Sequence, residues 1–410
     1  MNIFYNIAMN VFKAGAALAA HGNVKARRMV DGQRHTFDYL HATLDPQGGY
    51  YWFHAASLGE FEQARPLIEM LRREQPSARI LLTFFSSSGY EVRKDYDQVD
   101  AVCYLPIDTA ANARRFVATV KPRMAIFVKY EFWGNYLEML RKAGIPTYIV
   151  SCIMRPSQIF FKPWGGTFRK MLRCFDTMFV QNDDTRRLLA SIGIERVVVA
   201  GDTRYDRVAA IHAAARRFPL IEEFVSTARH TLVMGSSWQP DEDIAIPYCN
   251  ARDDLKVIIA PHEFDEQRLA LLEQQLHGPV ARYSRLQAGE AAAARCLIID
   301  SFGLLSSLYR YGDVALVGGG FGRGIHNINE AAAHGLPVLF GPKHEKFQEA
   351  HELLACGGGF TFADGSGFAA IMDTLLADSD ARSRAATAAA RHIAGHVGAT
   401  RTIYQALFSH

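Results

Sequence analysis

From residue 50 onward, short apolar runs alternate with amphipathic stretches, and this alternation constrains the fold more than any other feature of the sequence. Tyr50–His54, Ile80–Phe84, Met124–Val128, Thr147–Val150, Thr177–Val180 and Arg196–Val199 are nearly continuous apolar runs of strand length. A strand that is apolar at consecutive positions is buried on both faces, which implies a parallel sheet covered by helices on either side. The segments between them, such as Phe61–Arg73 and Phe132–Lys142, carry the helical period that βαβ units need. The pattern lapses over about 203–229, a charged, Ala-rich helical stretch without a strand. A second series then begins: Thr231–Met234, Lys256–Ile259, Cys296–Ile299, Asp313–Val317 and Pro337–Phe340. The chain therefore reads as two α/β units, 23–205 and 229–395, joined by a linker region at 206–228. A closing helix at 396–410 could cross back to the first unit. Ligands of such folds bind at the carboxyl ends of the strands, and the cleft between two units is the expected site. Gln287–Arg295 is aperiodic and reads as a surface loop.

Composition removes several function classes. With 49% hydrophobic and 21% charged residues over 410 positions, the chain is globular and long enough for two cores. A formal charge of +3 gives no global field for nucleic acid, so an anionic partner must be met by a local cluster. The six cysteines form no C-x-x-C pair and read as reduced core residues of a cytosolic protein. There is no P-loop and no H-E-x-x-H; His344-Glu345 and His351-Glu352 lack that spacing and read as exposed helix residues. Asp241-Glu242-Asp243 follows Pro240, where acidic residues suit a helix first turn better than a metal pair. No cofactor and no metal are expected.

The first twenty residues depart from this ordinary pattern. Met1–Ala20 is apolar except for a glycine and for Asn2, Asn6, Asn10 and Lys13, which recur as one stripe along a helix. A spanning helix needs about 20 predominantly apolar residues, so residues 1–22 read as a helix lying in the membrane interface or a short tilted anchor. Lys25, Arg27, Arg28 and Arg34 follow, a cluster suited to anionic lipid on the cytoplasmic side. Two alternatives are a signal peptide, for which no basic residue precedes the apolar run, and a helix packed on the domain behind it.

Four segments carry candidate chemistry. His54-Ala-Ala-Ser57-Leu-Gly59-Glu60 turns from a strand end into a helix, where Ser57 and Gly59 permit a tight turn and Glu60 opens the helix. Glu131, in Lys129-Tyr-Glu-Phe-Trp133, follows another strand and is expected at the same sheet edge. Two carboxylates sharing a cleft would each disfavour ionisation of the other. Gly201-Asp-Thr-Arg204-Tyr-Asp206 offers a guanidinium for phosphate or carboxylate. In the second unit, Gly235-Ser236-Ser237 and Pro261-His262 follow strands, and Val317-Gly-Gly319-Gly320-Phe-Gly-Arg-Gly324 leads into Ile325-His-Asn327-Ile328-Asn329-Glu330. These glycines do not fit G-x-G-x-x-G; they allow backbone amides to approach a phosphate ahead of a helix.

Taken in order, these segments resemble the Kdo transferase family, which transfers 3-deoxy-D-manno-octulosonic acid to a lipid A precursor. The resemblance runs from Ala56-Ser-Leu-Gly-Glu60-Phe through Glu131-Phe-Trp133, Gly201–Asp206, Gly235–Ser237 and Pro261-His262. It ends with Gly318–Phe321, His326–Ala332 and Pro337–Pro342. It implies a GT-B fold of two Rossmann-like domains facing across a cleft, with CMP-Kdo as donor in the C-terminal unit and a lipid A precursor in the N-terminal one. It further implies Glu60 as general base, Glu131 and Arg204 as groups assisting the transition state, and Ser57 and Gly59 on the acceptor side. CMP-Kdo contacts are implied at Ser236, Ser237, Pro261, His262, Gly303, Leu304, Leu305, Gly319, Gly320, Asn327, Ile328, Asn329 and Glu330. The chain departs from the family in having Arg204 for Lys, no Arg between Pro261 and His262, Leu304 for Glu, and Asn329 and Ala331 for Leu and Pro. The expected reaction is an inverting, metal-independent transfer at the cytoplasmic face of the inner membrane. The alternatives are another GT-B enzyme using a UDP-sugar, transferase or epimerase, and a non-catalytic membrane-bound nucleotide or lipid binder.

Overall fold

The computed structural model describes residues 3–409; Met1, Asn2 and His410, at the ends of the expected N-terminal and C-terminal helices, lie outside the described residues. The chain divides into two compact units. One holds the described residues up to Arg207 and those from Gly398 onward, and the other is Val208–Val397.

The first unit contains β1 (Tyr50–Ala55), β2 (Ile80–Phe84), β3 (Ala101–Tyr104), β4 (Pro122–Val128), β5 (Thr147–Cys152), β6 (Thr177–Val180) and β7 (Val197–Val199). They form one sheet in the order β3-β2-β1-β4-β5-β6-β7. Its pairs are parallel, with Trp52 opposite both Leu81 and Ala125. The second unit contains β8 (His230–Ser237), β9 (Leu255–Pro261), β10 (Val280–Arg282), β11 (Cys296–Ile298), β12 (Val314–Val317), β13 (Val338–Phe340) and β14 (Gly359–Thr361). Their order is β10-β11-β9-β8-β12-β13-β14, again parallel.

The helices of the first unit are α1 (Ile3–Ala19), α2 (Val24–Thr43), α3 (Leu58–Glu74), α4 (Ser87–Arg93), α5 (Ala110–Val120), α6 (Gly134–Lys142), α7 (Gly166–Leu172) and α8 (Asp183–Ala190). The helix α9 (Thr203–Ala213) carries the boundary between the units. The second unit adds α10 (Pro219–Val225), α11 (Gln239–Asn250), α12 (Glu266–Gln275), α13 (Leu305–Leu308), α14 (Ile328–Ala333), α15 (Gln348–Ala355), α16 (Gly365–Ala377) and α17 (Ser379–His396). The last, α18 (Ala399–Phe408), belongs to the first unit.

The strand period of two decides which layer each residue joins. On β1, Trp52 enters one apolar cluster with Leu81, Phe116, Phe127 and Tyr136, while Tyr51 and Phe53 enter the other with Phe61, Leu67 and Ile126. Burying each such side chain is worth roughly 1.5–3 kcal/mol, which is why apolar residues run without interruption through these strands. The second cluster also takes Ile403, Leu407 and Phe408 of α18, whose Phe408 ring meets Tyr51 at 5.2 Å. The start of α18 is tied down by Asp206, which accepts from the amides of Gly398 and Thr400 and from the Thr400 hydroxyl.

The sequence pattern missed β3, β10 and β14, and each is an edge strand of three or four residues. β10 and β14 are only partly buried and β3 is only four residues long, so each gives a weak signal. The Gln287–Arg295 loop contains a single 3₁₀ turn at Ala291–Ala293.

The N-terminal helix has no fully buried residue and leaves most of its large apolar side chains exposed. Tyr5, Asn6 and Met9 are half-buried, whereas Ile3, Phe4, Ile7, Val11 and Leu18 are exposed. Of the polar stripe, Asn6 is half-buried, while Asn10 and Lys13 are exposed. The exposed apolar side chains contradict the reading of α1 as an ordinary packed helix, whose apolar face would be covered. The anchor holding α1 is polar: Tyr5 donates to the buried Asp108 at 2.6 Å, and the Gly134 amide donates to the Tyr5 hydroxyl. Burial pushes the Asp108 carboxyl up to about 6, against the hydrogen bonds from Tyr5, Asn135 and Tyr136. No single helix among the described residues is long and apolar enough to cross a membrane; α1 and α2 pass that test only as a pair bent by 120°.

Candidate active site

In the first unit the strands β1, β4 and β5 all point their carboxyl ends at one edge, and the candidate residues gather there. The chain leaves β1 through Ala56 and Ser57, and α3 starts at Leu58, so Glu60 falls in its first turn. The expected backbone cap is not made by the Ser57 side chain; its hydroxyl donates to the Glu60 carboxylate instead. Gly59 is exposed, and a Cβ there would meet only Ser57 Oγ, at 3.8 Å. The turn does not require this glycine; its effect is to leave open space beside Glu60.

Glu131 is held differently from the way its position after a strand suggests. Its side chain is 11% exposed, and Oε2 accepts from Trp133 Nε1 at 2.6 Å and meets His54 Nε2 at 3.1 Å. His54 is fully buried, with Nδ1 against the Thr83 hydroxyl and carbonyl. Glu131 thus locks Trp133 and His54 at the sheet edge, and the described contacts do not join its carboxylate to Glu60. The Trp133 ring packs on Phe85 at 4.8 Å, and Phe85 stacks on Phe12 of α1 at 6.2 Å. An aromatic chain therefore runs from the exposed N-terminal helix to this edge.

Arg204 opens α9 beside the same edge. Asp202 accepts from its backbone amide and its Nε, both at 2.9 Å, and Gln63 of α3 donates to Asp202 at 3.1 Å. Burial alone would raise the Asp202 carboxyl, but the charge and hydrogen bonds of Arg204 outweigh it and hold the group below the usual carboxylate range. The Tyr130 phenol is pushed above its ordinary range, mainly by burial; Arg155 and Arg204 oppose the rise and Glu60 adds to it. Those influences place Glu60, Arg155 and Arg204 within electrostatic reach of one hydroxyl. Lys129, at φ 63, and Ser151, at φ 50, hold left-handed backbone immediately after β4 and within β5. Non-glycine residues carry such strain mainly at functional sites.

In the second unit the corresponding edge is formed by the ends of β8, β9 and β12. Ser236 is again left-handed, at φ 50. Ser237 is buried, and its hydroxyl donates to the buried Glu242, which also pairs with Arg268. Asp241 caps α11, accepting from the amides of Trp238 and Gly319, each at 2.9 Å. The acidic triplet is thus committed to structural bonds, with Asp243 accepting from Gln275.

Three rings lie together at this edge. Trp238 Nε1 donates to His326 Nε2 at 2.9 Å, and the His262 ring stacks on both, with centroids at 4.5 and 4.4 Å. Burial first, and the charge of His262 second, push the His326 imidazole down to about 4. His326 is therefore neutral at pH 7, with its Nε2 lone pair taken by the indole.

Residues 27–207 match the family described as 3-deoxy-D-manno-octulosonic-acid transferase. A 3-deoxy-D-manno-octulosonic acid transferase of Bordetella pertussis is 29% identical over 386 residues, covering 88% of this chain and 87% of that protein. Another, from Aquifex aeolicus, is 28% identical over 317 residues, covering 76% and 82%. Over residues 27–207, and along most of its length, the chain is similar to Kdo transferases. The solved UDP-GlcNAc 2-epimerase of Neisseria meningitidis superposes with a TM-score of 0.61 at 14% identity, covering 88% of this chain and all of that one. That likeness is one of fold alone, two parallel α/β units of the GT-B type.

The site residues that the resemblance implies can be placed one by one. In the first unit Ser57, Gly59, Glu60, Glu131 and Arg204 all lie at one sheet edge. In the second, His262, Gly303 and Asn327 are exposed and Leu305 and Glu330 half-buried at the corresponding edge. Ser237, Pro261, Leu304, Ile328 and Asn329 are buried, so their side chains frame this edge and do not line it. The glycine loop also differs from expectation. The amides of Gly318, Gly319, Gly322 and Gly324 all bond to protein acceptors. A Cβ on Gly318 would come within 2.3 Å of the Ser236 carbonyl, and one on Gly320 within 2.5 Å of Gly341. These glycines are required by close packing of the loop, which is a different demand from approach to a phosphate.

The sequence reading missed Tyr130, Arg155, Trp238 and Tyr309. Tyr309 is buried against Gly235, where a Cβ would strike its hydroxyl at 2.0 Å, and its phenol is raised by burial first and then by Glu330. Position directly after a strand could have singled out Tyr130 and Trp238; Arg155 and Tyr309 gave no such signal.

Proposed function

We propose that this chain is a Kdo transferase that moves Kdo from CMP-Kdo to a sugar hydroxyl of a lipid A precursor, with inversion and with no metal at the reacting atoms. Glu60 takes the proton from the acceptor hydroxyl as that oxygen bonds to the anomeric carbon of Kdo. The bond from that carbon to the CMP phosphate breaks, and CMP leaves with the electron pair. The observation that carries this reading is the half-buried Glu60 in the first turn of α3, held by the Ser57 hydroxyl where the chain leaves the carboxyl end of β1. Arg204, fixed by Asp202, is assigned to transition-state charge, as is Glu131 through the Trp133 and His54 it holds. The donor nucleotide is assigned to the second unit around His262, Gly303–Leu305 and Asn327–Glu330. Thermal melting tests the donor: CMP should raise the Tm and UDP should not. The reverse order would favour a UDP-sugar enzyme.

We further propose that α1 docks on the cytoplasmic face of the inner membrane. Its exposed Ile3, Phe4, Ile7 and Val11 offer apolar surface to lipid, and the exposed Lys25 and Arg28 follow it. The chain of Phe12, Phe85 and Trp133 puts that surface next to the Glu60 edge, which suits an acceptor presented from a bilayer. Replacing Phe4 and Ile7 by Glu should cut flotation with anionic vesicles by more than tenfold, since two buried apolar side chains are worth roughly 3 kcal/mol or more. Unchanged flotation with retained folding would remove α1 from this role.

A further inference from the structure

The closing turn of α17 brings three possible metal ligands together, in a part of the second unit that the transfer reaction does not use. His392 and His396 stand four residues apart on α17, so both rings project from one helix face, with centroids 4.4 Å apart. Glu352 reaches them from α15. Its Oε2 lies 3.8 Å from His392 Nε2 and 3.8 Å from His396 Nε2, and the three ligand atoms are all within 4.8 Å of one another. Contacts of 3.8 Å are too long for hydrogen bonds. They match atoms sharing an ion, because bonds of about 2.0–2.2 Å to zinc leave neighbouring ligands roughly 3–4 Å apart.

The surrounding hydrogen bonds orient these groups. His396 Nδ1 lies 2.7 Å from the His392 carbonyl, an oxygen that can only accept, so the proton sits on Nδ1 and the Nε2 lone pair faces the cluster. Gln348 Nε2 donates to Glu352 Oε1 at 3.0 Å, which turns Oε2 toward the two rings. Such outer bonds are the usual means of fixing ring and carboxylate orientation around a metal. Neither oxygen-rich Mg²⁺ nor Ca²⁺ chemistry suits two imidazoles and one carboxylate; a divalent first-row transition ion does.

We propose that Glu352, His392 and His396 form a Zn²⁺ site that clamps α15 to α17, with water completing the coordination. The clamp acts on the frame of the donor-binding unit, since α17 also packs on α14, the helix that begins after Asn327 and carries Glu330. It belongs to the second unit, Glu60 to the first, and it has no part in the chemistry proposed for Glu60.

Calorimetric titration of Zn²⁺ into the untagged, chelator-stripped full chain should show one site per chain with micromolar or tighter affinity. Glu352→Gln and His396→Ala change partly exposed side chains and should leave the fold intact, yet each should weaken binding roughly tenfold or more. Co²⁺ should give visible d–d bands in the parent that both variants lose, and saturating Zn²⁺ should raise the parent Tm by roughly 5–10 °C. Absence of binding at micromolar Zn²⁺ would overturn the proposal. So would stoichiometric binding that both variants retain, because it would place the ion on other histidines. These readouts do not depend on which sugar nucleotide the protein uses.

Discussion

Glu60→Gln should lower turnover by about 10²- to 10⁴-fold while leaving donor affinity nearly unchanged, because general-base assistance is typically worth that much. The substitution keeps the shape of the side chain and can still accept from the Ser57 hydroxyl, so the fold at the start of α3 should survive. What it removes is the site that takes the acceptor proton. The loss should appear in kcat and not in the CMP-dependent rise in Tm, since the nucleotide is assigned to the other unit. Steady-state transfer rates and melting curves on the same preparation separate the two. Turnover within a few-fold of the parent would exclude Glu60 as the base and leave proton removal to another group at that edge.

The largest stability effect is expected at Arg268. Glu242 is fully buried at the start of α11 and is compensated by Arg268, with Ser237 donating at 2.8 Å. Partial burial also lowers the pKa of the Arg268 guanidinium, whose side chain is 17% exposed, while Glu242 is wholly out of water. Arg268→Met leaves the carboxylate buried without its counter-ion, a change that typically costs about 3–5 kcal/mol. In a unit of this size that lowers the Tm by roughly 6–20 °C. Adding Glu242→Gln should recover much of the loss, since a neutral amide no longer needs a cation. Urea denaturation of the parent, single and double variants measures both steps; a single variant within about 1 kcal/mol of the parent would show that Glu242 is not uncompensated in it.

The fold was legible wherever burial on both faces forced continuous apolar runs. Trp52, Phe127 and Ile258 announce central strands because no polar residue could be tolerated there. The edge strands β3, β10 and β14 were not legible: β10 and β14 are only partly buried, and β3, though buried, is a run of four residues. The same distinction runs through the site. Glu60 and Glu131 could be placed at one edge from their positions after strands, yet nothing local says that Glu131 points at Trp133 and His54. Those contacts link β1 to the β4 end across more than seventy residues. In the same way, the glycines at 318–320 can be read as ligand-facing, whereas Ser236 and Gly341 lying against them make packing the reason. Arg204 was recognisable as a candidate cation, but its fixation by Asp202 and Gln63 depends on the tertiary approach of α3 to α9.

Mass spectrometry of the product made from CMP-Kdo and a tetraacylated lipid A precursor tests the account most directly. The expected result is an acceptor heavier by Kdo, formed with release of CMP and nearly abolished in Glu60→Gln. An acceptor left unmodified by the intact protein, while a UDP-sugar is consumed, would contradict it.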